Sequence, residues 1–153
     1  MSAPRSNDAP HIEMPDGDAQ VAECFPVIAQ LRPHLTKEAF IEQVRRQRQQ
    51  GYQLAARRDA EGRIVAVAGF RRFEMLAWGR VLYVDDLVTD ADSRSKGHGE
   101  ALFAWLTAYA RREGCDQLHL DSGVQRFDAH RFYLRERMRI SSHHFALEFK
   151  PRT

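Results

Sequence analysis

Residues 81–109 pass from an apolar run through a polar loop into an amphipathic helix, and this junction constrains the fold more than any other stretch. Val81-Leu82-Tyr83-Val84 continues into Asp85-Asp86-Leu87-Val88-Thr89, which has the composition of a strand. The loop then reads Asp90-Ala91-Asp92-Ser93-Arg94-Ser95-Lys96-Gly97-His98-Gly99. Beyond it, Leu102, Trp105, Leu106 and Tyr109 recur at helical spacing, and Gly114 stops the helix. A strand that feeds a helix this way calls for a layered fold, with the helix packed on a sheet. A helix start also has unpaired N–H groups and the positive end of the dipole, so it can hold a pyrophosphate.

The remaining elements fit such a fold. A short strand is expected around His11 to Met14. Asp18 is the expected cap of a first helix, with Val21, Cys24, Phe25, Ile28 and Leu31 on one face, Pro26 as a potential kink and Pro33 as its end. Thr36 caps a second helix that buries Phe40, Ile41 and Val44 and ends at Gly51. Tyr52 to Arg58 and Ile64 to Phe70 read as strands around a turn at residues 59–62, and residues 75–79 read as the next turn. With Val81 to Thr89 they make an antiparallel meander. Leu118-His119-Leu120 is a further strand, Asp128 to Arg137 a helix, and residues 140–149 alternate as a final strand. The fold class is α+β, a mostly antiparallel mixed sheet flanked by helices.

The chain has 153 residues, 43% of them hydrophobic, which suits one domain with a real core. Residues 1–10 read as a flexible tail and 11–153 as that domain. The 23 basic residues are nearly balanced by 21 acidic ones, which argues against a nucleic-acid-binding module. No apolar run approaches the ~20 residues of a membrane span. Cys24 and Cys115 stand far apart, so a reduced, cytoplasmic setting is the expectation.

Three phosphate-binding schemes compete for the loop. A P-loop requires a longer glycine spacing and a lysine followed by Ser or Thr. A dinucleotide fingerprint requires a third glycine where this chain has Leu102. What remains is Arg94-x-x-Gly97-x-Gly99 after a strand and before an amphipathic helix. This spacing resembles the acetyl-CoA signature of the GNAT superfamily of N-acetyltransferases. Ala129-His130-Arg131-Phe132-Tyr133 resembles the Ala-x-x-Phe-Tyr helix of the same family.

The resemblance implies a GNAT-type fold and a role for each of these positions. Leu87, Val88 and Thr89 would pair with pantetheine by strand addition, and an N–H near Val88 would polarise the thioester carbonyl. Ser95, Lys96, Gly97, His98, Gly99 and Glu100 would hold the pyrophosphate through backbone amides, with Arg94 adding charge. Asp85 or Asp86 would serve as base or ammonium site. The two face opposite ways in a regular strand, so at most one would reach the cleft, and a bulge would change which. Tyr133 would protonate the departing thiolate. Arg126 stands where the family often has an asparagine that contacts the cofactor, and Arg137 where it often has a glycine, so the resemblance does not extend to those two positions.

Other residues offer less. His143 and His144 face opposite ways on a strand, His119 and His130 have no zinc-like spacing, and no metal is expected. Cys115 reads as a packed residue. Arg126, Arg131, Arg135, Arg137 and Arg139 read as a solvated helix face. An acceptor pocket would draw on Phe25, Leu31, Phe73, Met75, Trp78 and Tyr83. The implied activity is acetyl transfer from acetyl-CoA to a primary amine, a small molecule being favoured, by direct attack in a ternary complex. The alternative is a non-catalytic acyl-CoA sensor. Nucleic acid and membrane are not expected partners, and a homodimer is the commonest assembly open to such a chain.

Overall fold

The computed structural model describes residues 10–150. The expected tail, apart from Pro10, lies outside them. The chain divides into two compact units, one ending at His119 and the other beginning at Leu120.

The first unit carries the sheet. In chain order its elements are β1 (His11–Glu13), α1 (Asp18–Leu31), α2 (Lys37–Arg48), β2 (Gln53–Arg58), β3 (Ile64–Met75), β4 (Gly79–Thr89), a short 3-10 turn (Ala91–Ser93) and α3 (His98–Arg112). β5 (Gln117–Leu120) runs to the boundary. The strands lie in the order β1-β2-β3-β4-β5, and the first three pairings are antiparallel.

Helices cover both faces. On one, Val21, Cys24 and Ile28 of α1 and Phe40 and Val44 of α2 pack on Leu54, Ala56, Val67 and Val88. On the other, Phe70 meets Trp105 and Tyr109 of α3 edge-on, at centroid distances of 6.1 and 5.3 Å. This is the alternation expected of strands buried on both sides.

Local chemistry explains most boundaries. Thr36 accepts from the Ala39 N–H at 3.2 Å and caps α2, and Arg45, Arg46 and Arg48 lie at its negative end. Gly17, not Asp18, is the N-cap of α1; Asp18 is the first helical residue and pairs with Arg45 of α2. Pro26 does not break α1, which runs to Leu31. An interior proline costs about 3 kcal/mol. The buried neighbours Cys24, Val27 and Ile28 outweigh it, each side chain contributing roughly 1.5–3 kcal/mol. β3 continues past Phe70 to Met75 because Arg71 to Met75 remain paired with β4.

The second unit contains α4 (Phe127–Arg135), which has no fully buried residue. The final strand expected over residues 140–149 is not formed. Phe145 and Phe149 alternate as anticipated yet are 92% and 90% exposed. Alternation alone does not make a strand, which also requires a partner ladder.

The β2–β3 turn supplies a stability test. Buried Asp59 accepts from the backbone N–H groups of Glu61 and Arg63 at 3.0 and 2.9 Å, and from Arg63 Nε at 3.2 Å. Burial pushes this carboxyl up, but these donors and the Arg63 charge outweigh burial and hold it below its usual value. A depressed folded-state pKa gives stability that is present above about pH 3.9 and lost as pH falls through the folded value. Asp59→Ala should cost about 1 kcal/mol at pH 7. In thermal melts the gap from wild type should close on acidification below about pH 4.

Candidate functional site

The loop after β4 is fixed from α1. The Gln30 amide donates to Asp90 Oδ1 at 2.7 Å and accepts from the Ala91 N–H at 2.9 Å. The Asp90 N–H donates to the Val65 carbonyl at 2.8 Å. Beyond this anchor, Ser95 and Gly97 adopt left-handed backbone conformations, with φ of 64° and 82°. Such residues turn successive N–H groups inward to form an anion-binding concavity. The first intrahelical bond of α3 runs from the Ala101 N–H to the Gly97 carbonyl at 3.0 Å. The N–H groups of His98, Gly99 and Glu100 therefore lie ahead of the ladder. Arg94, Ser95 and Lys96 are exposed.

The two glycines do different work. A Cβ on Gly97 would meet open space, so the left-handed backbone is what requires glycine there. A Cβ on Gly99 would come within 3.0 Å of Thr89 Oγ1, so Gly99 permits α3 to approach the end of β4. The His98 ring is also engaged. Its Nδ1 accepts from Arg57 Nε at 3.1 Å. Burial first, then the Arg57 charge, hold the ring below its usual pKa.

The acidic pair lies at a bulge. Gly69 opposes Asp86 and Phe70 opposes Val84, so Asp85 has no partner across the ladder. An inserted residue of this kind resets the alternation. Asp85 and Asp86 therefore face the same side of the sheet, where a regular strand would turn them apart.

Both carboxylates enter one network. Arg71 holds Asp85 through Nε at 3.1 Å and Nη2 at 2.5 Å. Arg32, just past α1, holds Asp86 Oδ1 through Nε at 2.9 Å and the Asp85 carbonyl through Nη2 at 3.0 Å. The buried Tyr52 hydroxyl donates to Asp86 Oδ2 at 2.7 Å, and the Arg71 guanidinium lies 5.5 Å from the centroid of the Tyr52 ring. Burial raises the Asp85 pKa, an effect that Arg71 opposes and Asp86 reinforces. Burial also raises Tyr52 well above its usual value, with Asp86 adding to the effect, so Tyr52 is a neutral donor. Sequence reasoning missed Arg32, Tyr52, Arg57 and Arg71. Only the bulge register makes three of them partners of the aspartates.

The six candidate acceptor residues do not form one cluster. Phe25 and Leu31 pack against the core. Phe73 pairs with Tyr83 at 6.3 Å, while Trp78 stacks on His119 at 3.7 Å. Among the described residues no group of three or more His, Cys, Asp or Glu is placed to hold a metal ion, and no helix is long and apolar enough to cross a membrane. In the second unit, burial raises the Tyr133 pKa while Arg126 opposes the rise, so the hydroxyl remains protonated at neutral pH.

Residues 19–137 match the family model described as the acetyltransferase (GNAT) family. The chain belongs to that family. This acetyltransferase is 33% identical over 124 residues to the uncharacterized N-acetyltransferase YhdJ of Bacillus subtilis, a match covering 80% of this chain and 87% of that one. A shorter match, 37% identical over 62 residues and 40% of each chain, is to the aminoalkylphosphonate N-acetyltransferase of Salmonella typhimurium. In fold, the enzyme resembles the aminoglycoside N-acetyltransferase AAC(6')-Iy in its complex with CoA, with a TM-score of 0.78, 12% identity, and coverage of 98% of this chain and 100% of that one.

Gly69 is the spatial requirement for the acidic network. A Cβ there would stand 1.8 Å from Tyr52 Oη and 2.7 Å from Asp86 Oδ2. Gly69→Ala should destabilise the acetyltransferase by about 1–3 kcal/mol, as overpacking does, measurable by urea unfolding. Tyr52→Phe, which leaves the space but removes the donor, should cost about 1–3 kcal/mol.

Proposed function

We propose that the enzyme transfers an acetyl group from acetyl-CoA to a small primary amine by direct attack in a ternary complex. The observation that carries this reading is the loop from Ser95 to Glu100. Its two left-handed residues, its forward-facing N–H groups and the exposed Arg94 and Lys96 fit a pyrophosphate. Backbone of Leu87, Val88 and Thr89 would align the pantetheine arm, and an N–H near Val88 would polarise the thioester carbonyl. Acetyl-CoA supplies the activated acyl group. Family membership and the CoA-bound structural relative support this choice of donor. The Salmonella relative, whose name specifies a small amine, supports the acceptor class.

The chain's own residues then have to move two protons. In the transfer a C–N bond forms, the C–S bond breaks, the amine nitrogen loses a proton and the thiolate gains one. Asp85 and Asp86 bind the ammonium, and the carboxylate freer of its arginine receives its proton. Tyr133, protonated at neutral pH, is the donor to the departing sulfur.

Calorimetric titration with acetyl-CoA should show saturable binding. Gly97→Val places a β-branched residue at φ 82°, which should weaken binding at least about tenfold while the protein stays folded. No binding to folded wild type would overturn the donor reading. Tyr133→Phe should lower kcat by roughly 10²-fold with acetyl-CoA affinity nearly unchanged, and an unchanged kcat would remove Tyr133 from the mechanism.

A further inference from the structure

The network at the β4 bulge contains two carboxylates, Asp85 and Asp86, and two guanidinium groups, Arg32 and Arg71. Tyr52 is neutral. The formal charge of the cluster is therefore zero. A site built to attract a simple cationic amine would instead present unpaired negative charge. Here each carboxylate already has an arginine, and an incoming ammonium must compete with it.

The arginines themselves have donors to spare. Arg71 spends Nε and Nη2 on Asp85, and Arg32 spends Nε and Nη2 on Asp86 and the Asp85 carbonyl. Neither Nη1 is engaged by a described residue, and the Arg71 side chain is 23% exposed. The Arg32 side chain is 41% exposed. A guanidinium with a free edge beside a carboxylate is a ready receptor for an acid group.

We propose that Arg32 and Arg71 are specificity-determining residues and that the acceptor is a small zwitterion, an amine bearing a carboxylate or phosphonate. This inference rests on the amine-acetylating function proposed above and narrows its substrate class. The acid group takes the free guanidinium edges, and the ammonium takes the carboxylate oxygens that the arginines release. Charge neutrality is kept throughout. A diamine of similar length brings a second cation to a neutral cluster and has nothing to offer the arginines.

The test is binding of three probes to the CoA-saturated protein by calorimetry, with thiol release measured in parallel from acetyl-CoA. The probes are 2-aminoethylphosphonate, β-alanine and ethylenediamine. At least one acidic amine should bind about tenfold or more tightly than ethylenediamine, and the better of the two identifies the acid group. Arg71→Gln leaves the cluster with one net negative charge, so the preference should collapse or invert toward ethylenediamine. Arg71→Lys should restore part of it. Arg32→Gln, at a more exposed position, should reduce the preference in the same direction and serves if Arg71→Gln does not fold. Equal binding of all three probes, tighter binding of ethylenediamine to wild type, or no saturable binding of either acidic amine would overturn the proposal. So would variants that weaken all three probes equally, which is the signature of a purely structural network. Loss of the acetyl-CoA reading is recognised separately, from the donor titration alone.

Discussion

A single unpaired residue in the β3–β4 ladder organises the site. Where Asp85 is inserted opposite Gly69 and Phe70, two consecutive carboxylates turn to the same face. That face is the one covered by α1 and α2. The crowding of two like charges is relieved by Arg71 from β3, Arg32 just past α1 and the Tyr52 hydroxyl just before β2. Each partner reaches the bulge from a different element, so the acidic pair ties strand, helix and hairpin together. Gly69 is the complement of this arrangement, since only hydrogen fits where Tyr52 and Asp86 meet.

The donor side follows from the other end of the same strand. β4 ends at Thr89, and Gly99 lets the first turn of α3 close on it. Strand end and helix start therefore stand together, with the left-handed pair Ser95 and Gly97 between them. One strand thus carries an acidic cluster at its middle and the loop with two left-handed residues at its tip. Under the function proposed above, the acid–base candidates and the backbone that would hold the pyrophosphate lie in fixed sequence along a single rigid element.

Much of this was legible in the sequence, because the signals were local. The cap at Thr36, the strand–loop–helix junction and the helical spacing of Leu102, Leu106 and Tyr109 all depend on residues within a few positions of one another. The partners of the aspartates were not legible, because Arg32 and Asp86 are separated by 54 positions and meet only through the fold. The bulge itself has no local marker, since Val84 to Leu87 read equally well as a regular strand. The final strand failed for the opposite reason. Residues 140–149 carry the right pattern, but the pattern alone supplies no partner backbone. The assignment of Asp18 as a cap was off by one residue, within the usual latitude of helix boundaries.

The end of α1 has a mechanical meaning of its own. Gln30 grips the start of the donor loop, and Arg32, two residues further on, grips both Asp85 and Asp86. The last turn of this helix is thus a common bracket for the two halves of the site. Any displacement of that turn pulls on both at once, so the loop after β4 and the acidic pair at the bulge are mechanically coupled through a stretch of three residues.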